Sequence, residues 1–276
     1  MSLRTDTWRF LNLKSASGSW HMAVDEAVTQ FHGLGTAPPT VRFYTWRPPC
    51  LSVGYFQSVR KDIDVGACVS QGIDLVRRPT GGRAILHDDE LAYSIIALES
   101  EPAISGPVGD SFRKISAGII EGLRILGINA AVGAQRPRRD TVPRTPACFN
   151  AASPHEVTVR GSKVVGSAQC RRGGVILQQG SIPLSLDTGK LFSFLKLPSQ
   201  ELAALARSQF EARVLPLRAI LDAGVQAGEV AQALRKGLEM VLGVTLVEGE
   251  LTMKEEKLAG ELVSQKYGNQ QWNLRR

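Results

Sequence analysis

The four cysteines, Cys50, Cys68, Cys148 and Cys170, form no CxxC pair, which argues against a zinc site and against a disulfide framework. No apolar run approaches the ~20 residues that a membrane-spanning helix needs, so no membrane partner is expected. The opening stretch from Met1 to Leu13 carries Arg4, Asp6 and Arg9 and lacks the apolar core of a secretory signal; the chain reads as cytoplasmic. Internal repeats and low-complexity tracts are absent as well. The formal charge of +7 comes from Lys and Arg that are dispersed along the chain. Dispersal speaks against a nucleic-acid stripe, whereas an acidic protein partner would exploit the same field for faster encounter.

What is present fits a soluble enzyme: 276 residues, 43% hydrophobic and 21% charged, enough to bury a sizeable core. Apolar alternation marks a first strand over Trp8–Leu13 and another over Val41–Trp46. Between them a helix is expected over Trp20–Phe31, capped by Ser19. Pro48 and Pro49 interrupt the second strand before Leu51–Tyr55 resumes extended structure. Ile73–Val76 and Leu91–Leu98 read as buried strands. Phe112, Ile115, Ile119, Leu123 and Leu126 recur at helical steps over Asp110–Leu126, and Gly127 stops that helix. Gln135–Pro146, rich in Pro and Arg, reads as a long surface loop. Strands follow at Glu156–Val159, Lys163–Ala168 and Val175–Leu184. The pattern then turns mainly helical, with amphipathic stretches at Glu229–Val241 and Met253–Lys266. The layout is α+β rather than a strict βαβα alternation, and the expectation is one catalytic domain over residues 1–276.

Three stretches carry chemistry-bearing residues. In Arg77-Arg78-Pro79-Thr80-Gly81-Gly82-Arg83 the paired glycines let backbone N–H groups approach a ligand, with arginines as fixed positive charge; a solvated Gly-rich turn is the competing reading. His87, just beyond, is a base, a ligand or a structural histidine. In Gly161-Ser162-Lys163-Val164-Val165-Gly166-Ser167-Ala168, Lys163 is the one charged residue in a run of small and apolar ones. It either snorkels from a strand edge or points into a pocket, where its ammonium would serve proton transfer. Finally, Cys148 follows a polar, arginine-bearing loop, the partly exposed and electropositive setting that thiolate chemistry favours. Cys68, in Val65–Val69, reads as core; Cys50 and Cys170 are undecided.

Together with Thr7-Trp8-Arg9-Phe10 and His21-Met22-Ala23-Val24-Asp25-Glu26, these stretches resemble the lipoate-protein ligase and biotin-protein ligase superfamily from Trp8 to about Leu184. Ala147-Cys148-Phe149 ahead of the lysine segment is similar to octanoyltransferases of the LipM type. The resemblance implies a mixed, largely antiparallel sheet flanked by helices, without a separate C-terminal accessory domain. It also implies an acyl-transfer reaction. Octanoyl acyl carrier protein would donate its acyl group to Cys148, and Lys163 would be the acid–base partner. Arg77, Arg78, Gly81, Gly82, His87, Gly166, Ser167 and Ala168 would bind substrate. The acceptor would be a lysine of a lipoyl-domain protein such as the glycine-cleavage H protein. No cofactor, no metal and a monomer are expected. An ATP-dependent lipoate ligase, or an amidotransferase between lipoyl proteins, is the alternative.

Overall fold

The computed structural model describes residues 6–133, 146–147 and 156–275. Among the described residues eleven strands run in chain order: β1 (Thr7–Ala16), β2 (Thr40–Trp46), β3 (Cys50–Val53), β4 (Asp74–Arg77), β5 (Ile85–His87), β6 (Glu90–Leu98), β7 (Ala131–Val132), β8 (Val157–Val159), β9 (Ser162–Arg172), β10 (Val175–Pro183) and β11 (Thr245–Glu248). Eight of them build one sheet in the order β11-β1-β2-β6-β10-β9-β8-β7, and β4-β3-β5 form a second. In the large sheet the pairings β11–β1 and β1–β2 are parallel, and those from β2 through β7 are antiparallel. This is the mixed, largely antiparallel sheet expected.

Helices cover both faces. The helices Val108–Ile125 and Ala227–Leu242 cross closely, because a Cβ on Gly237 would lie 2.2 Å from the Gly122 nitrogen. Their Ile115, Ile119, Leu123, Leu234 and Leu238 bury Phe10, Val41, Phe43 and Ile95 of the sheet. On the opposite face the helix Gly18–Gly33 presents Met22, Ala23, Ala27 and Val28 to Tyr44, Trp46, Ala92 and Ile96. A strand covered on both sides has no solvent face. That explains why β6 is mostly apolar and buried from Glu90 to Ala97, instead of alternating. A third apolar cluster, with Leu51, Val53, Ala84, Phe194 and Phe210, lies under the small sheet.

Several expectations need correction. The first helix is capped by Ser17, whose hydroxyl accepts the Trp20 N–H at 3.3 Å. Ser19 sits inside the first turn, because the residue with extended backbone angles is Ser17. The Met253–Lys266 helix ends at Leu262 and passes into a π turn, Val263–Tyr267. Strand β11 interrupts the helical last third; of its four residues only Leu246 is buried, too short a pattern to read. Its position is held from outside the strand. Arg9 of β1 makes a buried two-point ion pair with Glu255, at 2.7 and 2.6 Å, which ties the helix Met253–Leu262 to the sheet edge. Of the expected Gln135–Pro146 loop only Pro146 falls among the described residues. No described helix is long and apolar enough to cross a membrane.

Candidate active site

A cleft opens on the Gly18–Gly33 side of the sheet, lined by residues of β2, β9 and β10. It encloses about 480 Å³ of space between protein atoms, part of it open to solvent. Met22, Tyr44, Trp46, Ile85, Ala168 and Gly180 give it apolar walls, and Ser52, Arg78, Thr80, Gln179 and Ser181 supply polar atoms. The sequence-derived candidates Arg78, Gly82, His87, Gly166, Ser167 and Ala168 all line it. The glycine loop and the lysine segment therefore meet at one place, although some 80 residues separate them in sequence.

The loop is locked from both sides. Arg78 donates to the Gly81 carbonyl at 2.9 Å and the Arg83 carbonyl at 2.8 Å, and reaches back to the Ser52 carbonyl and hydroxyl at 3.1 and 2.9 Å. Gly82 has a φ of +99°, a conformation that glycine adopts without strain. The backbone of Gly54 runs so close that a Cβ there would lie 1.9 Å from the Gly82 carbonyl oxygen. Gly81 belongs to the same turn but does not line the cleft.

Arg77, expected to bind substrate, does not line the cleft. It is fully buried outside the cleft lining, and its guanidinium donates to the carbonyls of Gly54, Tyr55, Gln57, Trp272, Asn273 and Arg275. Arg77 fastens the C-terminal segment to the loop, and Arg78 shapes the cleft.

His87 is buried and stacks on Trp46, with ring centroids 4.0 Å apart and planes 14° apart. Its Nδ1 lies 2.7 Å from Glu90 Oε1, and its Nε2 2.7 Å from the Ser52 hydroxyl. Glu90 also accepts the Trp46 indole N–H at 2.9 Å and the Ser181 hydroxyl at 2.5 Å. Ser52 links this chain to Arg78, so the histidine braces the glycine loop from beneath. Beside it, Gln179 donates to Asp25 at 2.7 Å and accepts from Thr80 at 2.8 Å; Asp25 also pairs with Arg42 and accepts from Ser94. Ser52, Glu90, Ser94 and Gln179 were not recognised in the sequence, because their partners lie on other elements.

Lys163 owes its direction to a β-bulge. Val157 pairs with Val165 but Thr158 pairs with Lys163, which leaves Val164 as an extra residue in β9. Successive residues face opposite sides of a strand, so the bulge puts Lys163 on the face of Gly166 and Ala168; regular alternation would have turned it away. Bulges re-aim side chains in this manner beside active sites. Lys163 is only 7% exposed, and its Nζ pairs with Glu156 Oε1 at 2.8 Å. The hairpin at Arg160-Gly161 was legible, but folding the chain across it pairs Lys163 with Thr158, and the reach to Glu156, two residues further along, is a side-chain contact that this pairing does not give.

Cys148 and His155 lie outside the described residues, but Pro146 and Ala147, just before Cys148, do not. Ala84 donates its N–H to the Pro146 carbonyl at 3.0 Å and forms a bridge with Ala147, and Gln57 donates to the same carbonyl at 2.9 Å. The chain thus passes beside Gly82 and Ile85, both on the cleft wall, immediately before Cys148. The other three thiols are poor nucleophiles. Burial pushes Cys68 and Cys170 up to about 11 and Cys50 well above the ordinary thiol range. Among the described residues no group of His, Cys, Asp and Glu is arranged to hold a metal ion.

Comparison with known proteins agrees with this arrangement. The lipoyl protein ligase A/B catalytic domain matches residues 17–239. A Kyrpidia tusciae protein named octanoyltransferase LipM is 46% identical over 98% of this chain and 99% of its own length. The protein of that name from Bacillus subtilis is 39% identical over 99% of this chain and all of its own length. Among solved structures, the bi-partite lipoate protein ligase of Thermoplasma acidophilum superimposes with a TM-score of 0.81 at 28% identity, over 98% of both chains. A lipoate-protein ligase A bound with ATP gives 0.78 at 28% identity, over 97% of this chain and 98% of that one. The chain belongs to the lipoyl protein ligase A/B catalytic-domain family, among the relatives named octanoyltransferase LipM.

Proposed function

We propose that this protein carries an octanoyl group as a thioester on Cys148 and passes it to a lysine of a lipoyl-domain protein, the glycine-cleavage H protein being the expected acceptor. The observation that carries the reading is the bridge between Ala147 and Ala84, which brings the chain to Cys148 along the wall of the cleft that Lys163 shares a sheet face with.

The reaction has two halves. The Cys148 thiolate attacks the thioester carbonyl of octanoyl acyl carrier protein. A C–S bond to the enzyme forms, the bond to the carrier breaks, and the phosphopantetheine thiolate leaves with a proton from Lys163. The acceptor lysine amine then attacks the acyl-enzyme, gives up a proton to Lys163, and expels the Cys148 thiolate as the amide forms. Thioester exchange is near neutral and amide formation drives the sequence, so ATP is not consumed. A free cysteine is only a few per cent thiolate near pH 7, and a neighbouring ammonium favours the charged form. Glu156, at 2.8 Å, fixes the direction of that ammonium. Backbone N–H groups at the Gly81-Gly82 turn or around Ala168 are the candidate donors to the oxyanion, a contribution worth roughly 3 kcal/mol per donor in other enzymes.

Purified protein, octanoyl acyl carrier protein and a lipoyl-domain protein should yield octanoyl-amide without ATP. The second-order rate should fall as ionic strength rises while turnover at saturation changes little, because a basic surface steers an acidic carrier by screened long-range forces. Transfer that requires ATP and free octanoate would identify a ligase instead. A salt-indifferent rate would detach the net charge of +7 from partner choice.

A further inference from the structure

We propose that Tyr44 is the wall that sets acyl-chain length, closing the cleft against a second cavity on the same face of the sheet; the inference rests on the acyl-transfer reading above. The second cavity encloses about 430 Å³ between β1, β2, the helix Gly18–Gly33 and the Gly249–Leu251 turn. Leu11, Trp20, Val24 and Leu251 line it, and Tyr44 lines both this cavity and the cleft. The two spaces lie side by side because strand order runs β1-β2-β6-β10. Tyr44 on β2 is paired with Lys14 of β1 on one side and Ala92 of β6 on the other.

Tyr44 is suited to be a fixed partition. It is 2% exposed, stacks on His21 with ring centroids 4.2 Å apart, meets Trp46 at 5.5 Å and carries the Arg42 guanidinium 4.9 Å above its ring. Arg42 is in turn paired with Asp25. A ring held on three sides cannot rotate aside for a longer chain. The space behind it would suit an aliphatic tail along Leu11, Trp20, Val24 and Leu251, while Lys14 and Glu250, which also line it, pair with each other at 3.1 Å. His21 there is uncharged, since burial and the nearby Arg42 push its pKa down to about 3, and the charge of Arg42 is neutralised by its partner.

The test is a competition between octanoyl and dodecanoyl acyl carrier protein, read as the masses of the modified lipoyl-domain acceptor. One methylene more in an apolar pocket changes selection by roughly 10- to 200-fold, so wild type should strongly favour octanoyl. Tyr44→Ala and Tyr44→Leu should raise the dodecanoyl-to-octanoyl ratio by at least about 10-fold. Leu251→Trp fills the second cavity; alone it should leave octanoyl transfer unchanged, and combined with Tyr44→Leu it should cancel the gain. An unchanged ratio in the folded Tyr44→Leu protein overturns the proposal, and so does a gain that survives Leu251→Trp. A wild-type protein that transfers neither acyl group would overturn the acyl-transfer reading instead.

Discussion

The Cys148→Ala variant should lose acyl transfer by on the order of 10⁴- to 10⁶-fold, the scale seen when the nucleophile of a covalent mechanism is removed. None of the other three thiols is suited to take its place. Cys50 and Cys68 are in the core, and Cys170, half-buried on β9, is raised to about 11 by burial. Ser52 lines the cleft, but its hydroxyl hydrogen bonds to His87 and Arg78 brace the glycine loop. Single-turnover transfer to a lipoyl domain, with circular dichroism as a check on the fold, measures the loss. A variant that keeps close to wild-type rate would make the thiol incidental, as it is for ligases that activate free acid with ATP.

The second large effect is at Lys163. Lys163→Ala should slow both half-reactions by roughly 10²- to 10⁴-fold, the usual contribution of general acid–base assistance. Lys163→Arg should rescue poorly, because a guanidinium keeps the charge but does not accept a proton from the incoming amine. Glu156→Gln should act more weakly and in the same direction, since it removes the carboxylate that aims the ammonium but leaves the ammonium in place. Separate rates for enzyme acylation and for transfer to the acceptor decide the matter. If Lys163→Ala acylates and transfers at near wild-type rates, the lysine is a buried ion-pair partner of Glu156, and His155 becomes the next base to test. A full rescue by arginine would show that charge alone matters.

The sequence revealed most of the strands and helices that present this site, and the reason is local. Alternation in Val41–Trp46, the mainly apolar run from Leu91 to Leu98, the helical steps from Phe112 to Leu126 and the Gly-bearing turn at Arg160-Gly161 all report short-range patterns. The pieces that escaped are held by distant partners. Strand β11 has one buried residue and is placed by its pairing with β1 and by the Arg9–Glu255 ion pair, nearly the whole chain apart in sequence. The split between Arg77 and Arg78 follows from which carbonyls close in around each guanidinium, and no spacing rule contains that. Lys163 is the intermediate case. Its isolation among small residues was visible, yet regular alternation would have turned it away from the cleft. Its actual face depends on the bulge at Val164, a property of pairing with β8.

Intact-mass analysis of the protein after mixing with octanoyl acyl carrier protein, without ATP and without acceptor, tests the acyl-enzyme most directly. The mechanism predicts a single added octanoyl mass that neutral hydroxylamine removes and that peptide mapping places on Cys148. An unchanged mass, or a label on Cys50, Cys68 or Cys170, would contradict it.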